Sequence, residues 1–147
     1  MKNSFLRVLS LLFIIVLSSC NQQPAEEIKS DQTAVDESDK LVILWTSRDR
    51  EVALNMIFMY SNYQKRNGYW DDITIVVWGP SQKLLSEDKE LQENVKQLLS
   101  IGVTVKACKA CSDKYGVSKQ LADLGVTVKY MQELTEYIKG GRNVLAL

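Results

Sequence analysis

The chain has 147 residues, with 18 basic and 18 acidic side chains and no histidine. A balanced charge without a basic stripe argues against nucleic acid as a partner. The missing imidazole excludes catalytic sites that rely on a histidine base, such as those of cysteine proteases, and removes a common zinc ligand. We therefore expect no metal, no other cofactor and no nucleic acid.

The first nineteen residues have the pattern of an export signal. Lys2 and Arg7 precede an apolar run at 8–17, and Leu-Ser-Ser then leads to Cys20. The run is about half of the roughly 20 residues that a spanning helix needs, so a transmembrane anchor is the weaker interpretation. The Leu-Ser-Ser-Cys order resembles a bacterial lipobox, which predicts a lipoprotein signal at 1–19 and lipidation of Cys20. An ordinary secretory signal is the alternative.

Residues 20–40 are predicted to be the lipidated cysteine and a tether. Positions 21–40 contain six acids, two lysines and a proline, and almost no large apolar side chain. Such a segment cannot bury enough surface to offset the entropy of ordering it. The folded domain is expected at 41–147, a length that suits one hydrophobic core. The domain would then lie outside the cytoplasm, in the bacterial cell envelope, attached to a membrane through its lipid only.

Five short apolar runs follow one another along this domain. They lie at 41–45, 73–78, 103–107, 126–130 and 143–147 and are rich in Val, Ile and Leu. Runs that are apolar throughout suit strands covered on both faces. Helical patterns separate the runs, and this β-α alternation predicts a three-layer α/β/α fold. Its sheet would be five-stranded and mainly parallel, with right-handed crossovers.

The helical patterns differ in length. Apolar residues recur every three or four positions at 50–65 and at 87–99, and Ser86 is placed to cap the second of these helices. Shorter helices are predicted at 111–124 and 131–139.

The loops after the strands are expected to form a pocket. In an open parallel sheet the strands end at one edge, and ligands bind in the crevice there. Arg48 could hold an anionic group in that crevice, although a solvent-exposed turn charge is the more ordinary interpretation. The predicted lining residues are Thr46, Ser47, Arg48, Gly79, Ser81 and Lys109.

Cys108 ends the third run, and Cys111 follows one helical turn later in VTVKACKACSDKYG. The pair supplies only two of the four ligands that zinc needs. A thioredoxin-like fold is not indicated, because no proline follows the cysteines. The remaining class is thiol chemistry without an imidazole. The N-terminus of the following helix is expected to lower the pKa of an exposed Cys108, and Cys111 can then close a disulfide or resolve a persulfide. A structural disulfide, with Cys111 packed beneath its helix, is the alternative.

Four stretches in order carry a resemblance to a known family: WTSRDREVALNMIFMY, VVWGPSQKLLSEDKEL, GVTVKACKACSDKYGV and LGVTVKYMQELTEYIKGGRNVLAL. They resemble the DsrE/DsrF-like family of small α/β proteins across essentially all of 41–147. Members of this family include sulfur-relay proteins that hold sulfur on one cysteine as a persulfide, and they are often homo-oligomers. The resemblance implies that the sulfur-accepting position falls on Cys108, with Cys111 an addition found in some members.

The sequence thus predicts a lipid-anchored, extracytoplasmic thiol protein. Cys108 would accept sulfur or undergo thiol–disulfide exchange, and Cys111 would be the resolving thiol. A homo-oligomer is expected, with a sulfur- or thiol-donor protein as partner. The export signal sets the chain apart from cytoplasmic sulfur relays, so the resemblance implies the thiol site and not the pathway. The alternative is a non-catalytic oligomeric module that binds a small ligand or serves assembly.

Overall fold

A computed structural model describes residues 37–147. The predicted signal at 1–19, the predicted lipidation site Cys20 and most of the predicted tether lie outside the described residues. The strands are β1 (Lys40–Trp45), β2 (Asp72–Val77), β3 (Thr104–Cys108), β4 (Thr127–Lys129) and β5 (Asn143–Ala146). The helices are α1 (Arg50–Val52), a π-helical segment (Ala53–Phe58), α2 (Met59–Arg66), α3 (Pro80–Glu87), α4 (Lys89–Ser100), α5 (Lys109–Tyr115), α6 (Ser118–Asp123) and α7 (Gln132–Lys139).

The five strands form one parallel sheet in the order β4-β3-β2-β1-β5. The chain adds β2, β3 and β4 on one side of β1 and then returns to place β5 on the other side. Because parallel crossovers are right-handed, the last connection packs on the face opposite to the first three. The predicted α/β fold with a five-stranded parallel sheet is confirmed.

The two faces of the sheet have different partners. Odd-numbered side chains of β1, β2 and β3 belong to the main core formed with the helices of the first three connections, and Ile43, Ile75 and Val105 are typical members. Even-numbered side chains point to the other face, where Val42, Val76 and Cys108 cluster with residues of α7. Cys108 therefore lies on the face that α7 covers, at the carboxyl end of its strand.

The helix boundaries differ from the sequence prediction at two places. The helix predicted at 87–99 is preceded by a separate helix, α3, and Asp88 rather than Ser86 caps α4: the Asp88 carboxylate accepts from the N–H groups of Glu90 and Leu91. The helix predicted at 111–124 is two helices, because Gly116 at the end of α5 adopts a φ of 70°. Only glycine enters this left-handed region without strain.

The helix after β1 contains a π-helical segment that the sequence pattern does not reveal. Wider turns of this kind shift the side chains that follow relative to a regular helix. Met56 and Met59 point to solvent here, although their spacing places them with the apolar residues.

Replacing Ile75 by Ala is expected to lower the free energy of unfolding by about 2–5 kcal/mol, because the side chain is fully buried and its removal leaves a cavity. Urea unfolding followed by far-UV circular dichroism measures the change. Ile138→Ala is the matched control, since this isoleucine is 57% exposed on α7 and its loss should cost no more than about 0.5 kcal/mol. Equal costs for the two variants would contradict the assigned faces.

Candidate functional site

Cys108 is the last residue of β3 and the N-cap residue of α5. This is the carboxyl edge of the sheet, where its position in the sequence placed it. Its side chain packs in a small cluster with Val76 of β2, Trp78 just beyond β2, and Met131 at the start of α7. Cys108 is only 5% exposed, so its sulfur lies beneath apolar side chains.

Burial raises the pKa of the Cys108 thiol above its ordinary value, because an apolar environment disfavours the thiolate. The backbone N–H groups of Cys111 and Ala110 act in the opposite direction without closing a regular capping hydrogen bond, and the Cys111 side chain raises the pKa further. The expectation of an exposed Cys108 with a lowered pKa is therefore wrong. The helix N-terminus is in the expected place, but the loss of hydration outweighs it.

Cys111 lies in the first turn of α5 and is half-buried. Both cysteines are free thiols, and their side chains interact directly. The exposures are thus the reverse of those expected: Cys108 is the covered thiol, and Cys111 is the one that solvent reaches. Two adjacent thiols of unequal exposure can still form a disulfide or exchange sulfur.

Gln82 of α3 fixes the main chain beside the thiol. Its Nε2 donates to the carbonyl oxygens of Val77 and Cys108 at 2.9 and 3.0 Å, which ties the end of β2 to the end of β3. The Gln82 side chain is fully buried, and its Oε1 has no hydrogen-bond partner within 37–147. A single glutamine in an amphipathic helix gives no sequence signal for this role.

The predicted pocket residues after β1 lie some distance from the thiol. Thr46 and Arg48 are exposed and Ser47 is half-buried, and Thr46 bonds the Leu147 carbonyl through its N–H (2.7 Å) and its Oγ1 (3.0 Å). Because β2 separates β1 from β3, these residues are about two strand spacings, roughly 10 Å, from Cys108. Their contribution to a ligand pocket stays a prediction.

The other predicted pocket residues are closer to Cys108 but are engaged in structural contacts. Gly79 precedes α3 with a φ of 69°. Ser81 is fully buried, and its hydroxyl donates to the carbonyl oxygen of Trp45 at 2.7 Å, with the carbonyl oxygen of Trp78 a second, longer acceptor at 3.1 Å. Ser81 thus joins two strand ends and is not accessible to a ligand. Lys109 forms an ion pair with Asp113 at 2.7 Å.

A charged network that the sequence interpretation missed lies on the same face as Cys108. The ammonium group of Lys106 donates to Glu133 Oε2 at 2.9 Å and to the Tyr137 hydroxyl at 2.6 Å, and Lys129 bonds the other Glu133 oxygen. Strand alternation was the available signal, because Lys106 and Cys108 are two positions apart on β3 and must share a face.

Burial and hydrogen bonding oppose each other in this network. Burial raises the pKa of the Glu133 carboxyl, but hydrogen bonds from Lys129 and Lys106 outweigh that effect and leave the pKa below its ordinary value. Burial likewise lowers the pKa of Lys106, and its bonds to Tyr137 and Glu133 outweigh it and raise the pKa. Glu133 and Lys106 are therefore both charged at neutral pH.

Two surface clefts lie away from the thiols. One of about 500 Å³ is lined by Tyr60, Tyr63, Gln64, Tyr69 and Trp70. The other, of about 440 Å³, is lined by Asn55, Met56, Met59, Tyr60, Leu145 and Leu147. Within the described part of the chain, no group of three Cys, Asp or Glu side chains is arranged to hold a metal ion.

Comparison with known proteins assigns the chain to a family. The model of the DsrE/DsrF-like family matches residues 46–147. The chain belongs to the DsrE/DsrF-like family. Membership suggests a sulfur-relay-type function.

Two solved structures are similar to this DsrE-like chain. A conserved protein of unknown function from Bacteroides thetaiotaomicron, BT1422, is 40% identical with a TM-score of 0.73, over 74% of this chain and 95% of that one. The YchN protein of E. coli is 20% identical with a TM-score of 0.59, over 74% of this chain and 98% of that one, a likeness that shows the fold alone. No curated protein matches the sequence.

The raised pKa of Cys108 predicts slow alkylation at neutral pH. In the Cys111→Ser variant, the midpoint of the iodoacetamide rate against pH should lie above the midpoint for the same protein in guanidinium, because burial remains when Cys111 is removed. Mass spectrometry of the tryptic peptide 107–109 follows Cys108 separately from Cys20. A folded midpoint at or below the denatured one would contradict the burial of the sulfur.

Proposed function

We propose that this protein is a lipid-anchored, extracytoplasmic sulfur acceptor in which Cys108 takes up sulfane sulfur as a persulfide and Cys111 is the resolving thiol. The observation that supports this proposal is the direct contact between the two thiols at the carboxyl end of β3, where the resemblance to the family implies the sulfur-accepting cysteine. The two cysteines also differ in exposure, as the two roles require.

The reaction needs no cofactor or external oxidant. The Cys108 thiolate attacks the outer sulfur of a donor persulfide, the donor S–S bond breaks, and the donor leaves as a thiolate. Cys108 then holds the persulfide. The Cys111 thiolate attacks the inner sulfur of that persulfide, which forms the Cys108–Cys111 disulfide and releases hydrosulfide. The two thiols are oxidised by two electrons, and the sulfane sulfur is reduced by two.

The covered position of Cys108 suits slow sulfur uptake in which Cys111, and not a thiol in solution, discharges the persulfide. A persulfide under Trp78 and Met131 is shielded from small thiols that would remove its sulfur in solution. Met131 is 7% exposed and has a flexible, unbranched side chain that can move to admit a donor. The packing of Trp78 and Met131 over Cys108 therefore both slows the reaction of the free thiol and shields the persulfide from thiols in solution.

The proposal places the donor protein and the acceptor outside the cytoplasm. This location depends on the predicted lipid at Cys20 and the predicted tether. Self-association is the second part of the proposal, and it is supported by an apolar surface of Met56, Met59 and Leu145, which line one cleft and remain exposed. Adjacent apolar side chains that stay exposed to solvent are candidates for an association surface.

Removing each cysteine separately tests the proposed roles. After exposure to a low-molecular-weight persulfide, the Cys111→Ser protein should retain an added sulfur of about 32 Da on peptide 107–109, because the resolving thiol is absent. The unaltered protein should instead end as a disulfide about 2 Da lighter. Mass spectrometry after acid quenching distinguishes the two products.

Cys108→Ser is the companion variant, and it should neither hold the additional sulfur nor release hydrosulfide. Trypsin cleaves after Lys106 and Lys109, so the two cysteines fall on separate peptides and Cys20 on a third. Sulfur found on the Cys111 peptide of the unaltered protein, with none on 107–109, would contradict the assigned order of the thiols.

A second candidate function is a non-catalytic assembly module, which the exposed surface of Met56, Met59 and Leu145 favours. Met59→Glu should then dissociate the oligomer in sedimentation velocity, because burial of a charge in an apolar contact is costly. Ala122→Glu, on an exposed position of α6, should leave the sedimentation unchanged. If Cys108→Ser keeps the cellular phenotype while Met59→Glu abolishes it, the assembly role replaces the sulfur role. An oligomer that survives Met59→Glu would contradict the assigned surface.

A further inference from the structure

The residues around Cys108 carry an uneven set of charges. Lys129 of β4 pairs with Cys108 across the sheet, so the two side chains leave the sheet on the same face from adjacent strands. Lys106 lies two residues earlier on β3, on the same face and about 7 Å along the strand. Both ammonium groups bond one carboxylate, Glu133 of α7.

These three groups together carry one net positive charge on the face of the sheet that Cys108 shares. Lys106 and Lys129 are cationic, and Glu133 balances only one of them. An ion pair that served only to attach α7 to the sheet would need one lysine opposite Glu133, and here there are two. The side chain of Lys129 is 39% exposed and that of Lys106 is 16% exposed, so Lys129 is the cation that an entering molecule meets.

Neighbouring charged groups do not cancel this excess. Lys109 at the start of α5 is neutralised by Asp113. The other charged cluster near α7 consists of Arg142 and Lys40 with Glu37 and Asp72, and its charges balance. Asp72 lies six positions below the level of Cys108 in the strand register, which is about 20 Å and more than two screening lengths in physiological salt.

We infer that Lys106, Glu133 and Lys129 form an anion-selective wall of the Cys108 site, so that this thiol favours a sulfur donor carrying negative charge next to its transferable sulfur over a neutral one. This inference rests on the proposed function and names the class of its substrate. Lys129 is the specificity-determining residue, and Glu133 is the positioning residue that holds both ammonium groups on the face of Cys108. An anion that enters competes with Glu133 for Lys129.

Paired alkylating reagents test the wall without sulfur transfer. Iodoacetate and iodoacetamide react with the same thiolate and differ in charge, so the ratio of their rates at Cys108 reports the local charge, while thiolate fraction and general accessibility cancel. The reagents are applied to the full-length Cys111→Ser protein, because carboxymethylation of the more exposed Cys111 would itself place a charge beside Cys108, and peptide 107–109 is quantified. A unit charge about 7 Å away in a partly solvated site changes such a rate about three- to tenfold.

The variants change the wall by one charge at a time. Glu133→Gln should raise the iodoacetate-to-iodoacetamide ratio about three- to tenfold, and Lys129→Met should lower it by a similar factor. Lys119→Met, which removes a lysine paired with Asp123 on α6, is the control and should leave the ratio unchanged. High salt should weaken both effects, because the groups are partly exposed.

The outcomes separate this inference from the proposed function. If Cys108 reacts with both reagents and the ratio ignores Glu133→Gln and Lys129→Met, the wall is overturned, and sulfur loading of Cys108 is unaffected. If the ratio shifts as stated but persulfide never loads Cys108, the wall is supported and the sulfur role is overturned. A Cys108 that neither reagent labels in the folded protein overturns both. A variant that only loosens the packing of α7 would raise the rates of iodoacetate and iodoacetamide at Cys108 by the same factor. The ratio of the two rates would then stay unchanged, and this result would contradict the charged wall.

Discussion

The packing of α7 against the even-numbered face of the sheet is the constraint on which the thiol site depends. Met131, Leu134 and Tyr137 lie over Val42, Val76 and Cys108, and Lys106 and Lys129 bond Glu133 across the same interface. The topology places α7 on the even-numbered face and the helices of the other three connections on the opposite face, because β5 lies on the far side of β1 from the other strands and the crossovers are right-handed. One connection therefore both covers the sulfur and brings the charges to it.

The chain has no histidine that could act as a base beside Cys108. The α5 backbone N–H groups of Cys111 and Ala110 favour the Cys108 thiolate and act against the effect of burial. In the resting protein burial prevails and the pKa of Cys108 is raised. A raised thiol pKa stabilises the fold fully below the pKa of the unfolded thiol, and this contribution is lost as the pH rises through the folded pKa.

The fold was predictable from the sequence because its strands are apolar throughout and its helices alternate with them. Placement of Cys108 at the carboxyl edge followed from the same reasoning. Its burial did not follow, because the face on which a strand residue lies is set by the register and by the helix packed there. The alternation of Val103, Val105 and Ala107 with Lys106 and Cys108 indicates which face each residue is on, but the helix that covers the face of Cys108 begins only at Gln132. Ser81 and Gln82 look like ordinary helix residues, and only the tertiary structure shows that both are buried joints between strand ends.

The proposed function requires that Cys108, which is covered by α7 and contacts Cys111, is the thiol that receives the sulfane sulfur. The most direct measurement is a crystal structure of the Cys111→Ser protein after treatment with a persulfide donor, with sulfur located by anomalous scattering. The account predicts a second sulfur peak about 2 Å from Cys108 Sγ, enclosed by Trp78 and Met131. A Cys108 that faces solvent and has no second sulfur peak, or a Cys108 separated from α7 by ordered water, would contradict the proposed function.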